Sequence, residues 1–311
     1  MSTAVSDLCA DRLVLPAFAK VNLVLRVLGR RPDGFHELRT VFQTVSLHDQ
    51  LTFEPVMGDG IELFCTAPDV PAGETNLVYR AAVALKDRLG LKRGAKIIID
   101  KRIPAGGGLG GGSSDAAVAL LGLARLWKIR TRREELAEIG ARLGADVPFF
   151  FTGGTALGTG TGTSITPLDD LGAMQLLIVT PSARVSTAAA YAALKAPALT
   201  KTEDDNKLPV SRADEDLRDS FSDILHNDFE AVVFRMEPEI ERARSALVRA
   251  GARGVRLSGS GSSVFGLLAD AQAAARAQAA LQTAAAWHVF ACSTLARQQY
   301  REALGACAEW L

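Results

Sequence analysis

The sequence has no excess of either charge: 35 basic residues match 35 acidic ones over 311 positions. No global field therefore draws in nucleic acid or an anionic membrane, and a bound anion must be held by a local site. Cysteine is sparse. Cys9, Cys65, Cys292 and Cys307 form no CxxC pair and stand near no histidine cluster. That argues against a zinc site or a disulfide framework and for a reducing compartment. No run of about 18 uninterrupted apolar residues offers a membrane span. The opening residues, MSTAVSDLCADRLVLPAFAK, place Asp7 and Asp11 where a secretion signal is basic, and they lack the Arg- and Ser-rich character of a transit peptide. A soluble, cytoplasmic protein is expected.

Against these absences, hydrophobic residues reach 48% and charged residues 23%, enough for a sizeable core. The length suits two domains, expected over residues 1–170 and 171–311. In AFAKVNLVLRVL, alternation puts Ala19, Val21, Leu23, Leu25 and Val27 on one strand face. Phe18, Lys20, Asn22, Val24 and Arg26 share the other. Further strands are expected at residues 38–47, 50–56, 60–66, 95–100 and 175–180, and helices at 75–90, 114–127 and 132–144. A helix over 238–251 leads into a strand–turn–strand across ARGVRLSGSGSSVFGLL. A helix at 270–286 and a strand at 287–293 follow. The charged stretch from Thr200 to Ser220 lacks an apolar period and is expected as a surface loop.

The run Pro104, Ala105, Gly106, Gly107, Gly108, Leu109, Gly110, Gly111, Gly112, Ser113, Ser114 lies between a strand and an apolar helix. Glycines let the backbone approach a polyphosphate closely, and successive N–H groups can converge on its oxygens at the helix's positive end. Ser113 or Ser114 could contact metal or phosphate, and Ser114 or Asp115 could cap the helix. A flexible linker would not be flanked so directly by apolar elements. Gly106, Gly108 and Gly111 match GxGxxG, but no acidic residue ends a following strand as a dinucleotide fold requires. A Walker loop needs a lysine after the glycines, and none stands there. A phosphate loop of another fold remains.

Three further segments matter. Singly, Lys20 beside Asn22 is a surface lysine on a half-exposed strand. Asp146 in GADVPFFFTGG is a turn aspartate between a helix end and an apolar strand. LSGSGSSVFG (257–266) is a hairpin connection. Together, in this order, they resemble the GHMP kinase superfamily. PAFAKVNLVLRVLGRRPDGFHELRTVFQTVSLHD is similar to the opening block of its branch acting on 4-diphosphocytidyl-2-C-methyl-D-erythritol, and RPDG-(aromatic)-HEL is the most specific element.

The resemblance implies a two-domain α+β fold. An N-terminal mixed sheet of the ribosomal-protein-S5-domain-2-like kind would be followed by a ferredoxin-like α/β layer, with the active site in the cleft between them. It implies transfer of the ATP γ-phosphoryl to a substrate hydroxyl, with Mg²⁺ as cofactor. The partners would be ATP and the cytidine diphosphate methylerythritol substrate, acted on by a monomer or weak homodimer. Asp146 would be the general base, and the Lys20 ammonium would stabilise its charge and hold the hydroxyl in line. Phe35, where the family usually has tyrosine, and Tyr191 would sandwich the cytosine while His36 reads its edge. Asn22, Thr161 and Thr187 would contact substrate. Asn76 and Lys101 would lie near the adenine. Thr159 and Thr163 stand where many members carry acidic residues, which weakens any carboxylate metal ligand from that segment.

Overall fold

The alternation along residues 18–27 builds half of the longest strand pair. The structure, a computed structural model, describes residues 12–199, 224–284 and 286–311. β1 (Leu13–Arg30) and β2 (His36–Val56) run antiparallel, from Leu13 opposite Phe53 to Arg30 opposite His36. β3 (Ile61–Cys65), β4 (Gly94–Asp100), β5 (Thr155–Gly160), β6 (Ser164–Pro167) and, after β7, the short β8 (His226–Asn227) complete a mixed sheet. Its order is β3-β4-β2-β1-β8, with β5 and β6 branching from β2. A second, antiparallel sheet has the order β11-β7-β10-β9, formed by β7 (Gln175–Thr180), β9 (Arg253–Leu257), β10 (Val264–Leu268) and β11 (His288–Ser293). The fold is the expected α+β arrangement.

Helices α1 (Leu77–Leu89), α2 (Gly111–Leu126) and α3 (Arg133–Leu143) cover the first sheet. α4 (Thr187–Leu194), α5 (Glu230–Met236), α6 (Pro238–Arg249) and α7 (Ala271–Ala284) build the core of the second. α8 (Arg297–Leu304) returns to the first core, where Tyr300, Leu304, Cys307 and Trp310 pack with α2. Ala19, Val21 and Leu23 meet Leu176, Ile178 and Phe265 in a third cluster between the sheets. Through Ala19, Val21 and Leu23, β1 thus joins the two sheets, and the same strand carries the buried polar pair Lys20 and Asn22.

Three local expectations need correcting. Residues 38–47 and 50–56 are not two strands but parts of one, because the polar His48-Asp49 step stays paired opposite Phe18 and Ala17. The cost of burying Asp49 is offset where its Oδ1 accepts the N–H of Arg102 at 2.5 Å and of Ile103 at 2.8 Å. The segment after Asp146 is a 3-10 helix, Val147–Phe151, not a strand. Pro148 has no N–H to give a ladder, and Phe149, Phe150 and Phe151 are all buried, so no alternation constrains them. The helix expected from Ser114 begins at Gly111, with Gly110 as its left-handed N-cap and no side-chain cap. Ser114 and Asp115 therefore lie inside the helix and cap nothing, the Ser114 N–H bonding to Gly110 O at 2.8 Å. The opening residues 1–11 and the charged stretch at 200–220 lie outside the described residues. Among the described residues no helix is long and apolar enough to cross a membrane.

Candidate active site

Lys20 is not a surface residue. Its side chain is 3% exposed, and its ammonium lies 3.2 Å from Asp146 Oδ2, whose side chain is 32% exposed. The lysine also donates to Asn22 Oδ1 at 2.6 Å, and Asn22 Nδ2 donates onward to Thr40 Oγ1 at 2.7 Å. Thr40 closes the chain by donating to Val24 O at 2.7 Å. Register shifts in the β1–β2 ladder fall on both sides of this pair, between Phe18 and Lys20 and between Asn22 and Val24, and they re-aim the two side chains. Phe42 lies beneath, its ring centroid 5.4 Å from the ammonium. The aspartate is fixed from the other side. Tyr300 donates to Phe150 O at 2.6 Å, which pins the 3-10 turn that follows Asp146.

The glycine loop runs directly against this pair. The Lys20 N–H bonds to Leu109 O at 2.9 Å. Gly110 has φ +70°, and a Cβ there would stand 2.9 Å from Lys20 Cγ and 3.0 Å from Phe150 Cζ. The loop also interlocks with the turn between β9 and β10. Ser263 N donates to Gly107 O at 3.0 Å, and Ser258 Oγ donates to Gly108 O at 3.0 Å. Asn227 holds that turn in place, its Nδ2 donating to Leu257 O and Gly259 O, both at 2.8 Å. Of the two candidate serines, Ser113 faces the segment before Asp146, since a Cβ on Gly144 would lie 3.5 Å from its Oγ. Ser114 Oγ is fully buried and has no hydrogen-bond partner. A cleft of about 300 Å³ opens beside the start of the loop, lined by Lys101, Pro104, Ala105, Thr180, Ser262 and His288 among others.

The aromatic residues gather near Asp146. His36 stacks on Tyr191 with ring centroids 4.7 Å apart and planes 28° from parallel, and Phe229 meets Tyr191 edge-on at 4.8 Å. Burial, with a further push from the Asp146 charge, raises the Tyr191 hydroxyl to about 12, so it stays a neutral donor. Phe35 stands 63% exposed beside His36, and the face of Tyr191 expected to take a base carries the His36 ring. Thr187 accepts from Ser260 Oγ at 3.2 Å, so it sits against the β9–β10 turn. Thr161 lies 3.3 Å from Thr163, hydroxyl to hydroxyl, in the β5–β6 turn. Asn76 caps α1, its Oδ1 accepting the Val78 N–H at 2.8 Å and its Nδ2 donating to Pro71 O at 2.7 Å. The Lys101 ammonium is held between Asp49 and Asp115, 2.7 Å from the latter. Burial and the neighbouring Asp49 outweigh Lys101 and push the Asp115 carboxyl up to about 8.

Sequence reasoning brought together Lys20, Asn22, Asp146 and the loop, but it missed Thr40, Asp49, Asn227 and Tyr300. An aspartate inside a strand, where that residue type is depleted, was the available signal for Asp49. The others stand in no motif.

This geometry has counterparts in known proteins. The model for the GHMP kinases N terminal domain matches residues 76–154, and that for GHMP kinases C terminal matches residues 213–286. A 4-diphosphocytidyl-2-C-methyl-D-erythritol kinase of Moorella thermoacetica is 43% identical over 277 residues, covering 88% of this chain and 95% of the relative. That of Geobacter metallireducens is 42% identical, covering 91% and 99%. A crystal structure of 4-(cytidine 5'-diphospho)-2C-methyl-D-erythritol kinase superposes with a TM-score of 0.75 at 37% identity, covering 91% of this chain and 99% of that one. With relatives this similar over nearly their whole length, the chain belongs to the 4-diphosphocytidyl-2-C-methyl-D-erythritol kinase family of GHMP kinases.

Proposed function

We propose that this chain transfers the γ-phosphoryl group of ATP to the 2-hydroxyl of 4-diphosphocytidyl-2-C-methyl-D-erythritol, giving the 2-phosphate and ADP in non-mevalonate isoprenoid precursor synthesis. The observation that carries the reading is the Lys20–Asp146 pair at 3.2 Å, set against a glycine loop whose backbone bonds directly to Lys20. Asp146 takes the proton of the substrate hydroxyl as its oxygen bonds to the γ-phosphorus. The bond from that phosphorus to the bridging oxygen breaks, and its electron pair leaves with ADP. Lys20 uses two of its three N–H bonds on Asp146 and Asn22, which leaves the third for the transferring group. The uncapped start of α2 leaves its first N–H groups for phosphate oxygens.

Mg²⁺ would be held by oxygen donors, the Ser113 hydroxyl and the nucleotide's phosphates. It supplies charge neutralisation on the polyphosphate.

Tyr191 and Phe35 offer two rings for the cytosine, and His36, now stacked on Tyr191, would have to leave that ring to meet the base edge. Phe35→Ala is expected to raise the KM for the cytidine substrate by about 5- to 150-fold, the worth of one lost stack of about 1–3 kcal/mol, with little change in the KM for ATP. An unchanged substrate KM would remove Phe35 from the site. The reaction itself is tested by incubating the protein with ATP, Mg²⁺ and the cytidine diphosphate substrate and following ADP. Substrate-dependent ADP release is expected. Release with homoserine or mevalonate in its place would assign the chain to a different acceptor.

A further inference from the structure

Beneath the glycine loop lies a buried charge cluster that the reaction does not use. The Lys101 side chain is 5% exposed, that of Asp49 is 0% and that of Asp115 is 5%, and the lysine pairs with both carboxylates. The three residues come from three places. Asp49 sits mid-strand in β2, Lys101 immediately follows β4, and Asp115 lies near the start of α2, just past its first turn. Asp49 Oδ1 also accepts the N–H groups of Arg102 and Ile103, the residues that enter the loop. Asp115 leaves it. The cluster therefore ties the entry and the exit of the loop to one strand. It is also tightly packed, since a Cβ on Gly111 would stand 3.0 Å from Lys101 Nζ and 2.9 Å from Ile103 Cγ2.

A buried ammonium with two buried carboxyl groups carries a desolvation cost that packing alone does not require. Apolar residues of similar volume would hold the same elements together at no desolvation cost. The arrangement does something that an apolar patch would not: directional bonds fix the backbone of Arg102 and Ile103 and the start of α2 relative to each other. The loop between them must present its N–H groups to a polyphosphate within a few tenths of an ångström.

We propose that Asp49, Lys101 and Asp115 form a brace that positions the glycine loop for the nucleotide, with Lys101 and Asp115 acting as one unit. The inference rests on the ATP-loop reading above. Asp49 and Asp115, with side chains 0% and 5% exposed, act as positioning residues.

The test is a double-mutant cycle with Lys101→Met and Asp115→Asn, reading ADP affinity by calorimetry together with the separate KM values for ATP and the cytidine substrate. Each single variant is expected to weaken ADP binding and raise the ATP KM by about tenfold, leaving the substrate KM within about twofold. The double variant is expected to be little worse than either single one, because both break the same brace. Lys101→Arg should restore most of the ATP KM. Additive losses would mean that Lys101 acts on the nucleotide independently and would overturn the brace, as would equal rises in both KM values. Asp115→Asn keeps the shape of its side chain and carries the test if Lys101→Met does not fold; an unchanged ATP KM in that variant overturns the proposal. Failure of the wild-type protein to bind ADP would instead strike at the ATP reading itself.

Discussion

Asp146→Asn is expected to lower kcat by about 10²- to 10⁴-fold, the range for removing a positioned general base. The amide keeps the shape of the carboxylate and can still accept a hydrogen bond from Lys20, so the geometry at 3.2 Å survives. What it loses is the ability to take a proton from an alcohol at the moment the oxygen attacks phosphorus. ADP affinity is expected to stay within about twofold. Asp146 lies outside the glycine loop, in the residue before the 3-10 turn, and taking away a negative charge near a polyphosphate reduces repulsion and does not add to it. The sign therefore separates the roles: turnover collapses while nucleotide binding holds or tightens slightly. The substitution also leaves the Lys20 ammonium buried at 3% exposure without its carboxylate, so a small loss of thermal stability accompanies the effect. The partial exposure of Asp146 keeps that loss small. Single-turnover phosphoryl transfer and ADP calorimetry on the same preparation measure both quantities. A kcat retained within tenfold would mean that the hydroxyl loses its proton elsewhere.

The parts of this site legible in the sequence share one property: their chemistry is local. Alternation alone put Lys20 and Asn22 on one face of β1, and the structure bonds them at 2.6 Å. The glycine run announced its own conformational freedom, and the strands at 175–180 and 253–257 followed from their apolar pattern. What could not be read depends on which distant residue completes a bond. Asp49 in the strand is satisfied by backbone 53 and 54 residues away, so it looked like a break between two strands. Tyr300 belongs to a helix that packs on the opposite end of the chain, and its bond to Phe150 O spans 150 residues. The start of α2 was misplaced for a related reason. Helix caps are recognised by side chains, but here the N-cap is Gly110 with a left-handed backbone, and a capping serine or aspartate was sought too far along. On the proposed ATP-loop reading the omission has a use, because a side-chain cap would occupy the N–H groups that a phosphate needs.

The same reasoning gives the largest expected effect on stability, for Gly108→Ala. Gly108 has φ +79°, and a Cβ there would fall onto the carbonyl oxygen of Ser258, with Ser258 C at 3.1 Å and Gly261 N at 3.2 Å. All of these are backbone atoms, so no side chain can rotate away. Nor can the turn retreat. Asn227 holds it at Leu257 and Gly259, and Ser263 N holds it to Gly107 O at 3.0 Å. The left-handed backbone costs an alanine about 1–2 kcal/mol, and forcing a methyl into a packed contact adds about 1–3 kcal/mol. Gly106→Ala supplies the control. Gly106 also has a positive φ, +75°, but nothing lies within 4 Å of its Cβ position, so only the backbone cost applies. Gly108→Ala is therefore expected to lower Tm by several degrees more than Gly106→Ala does. It should also lose ADP affinity, because the loop can relieve the clash only by leaving the turn that holds it. Equal Tm losses in the two variants would show that the turn yields. In that case loop and turn would be two independent elements in contact, and the nucleotide would be the first thing to fix one against the other.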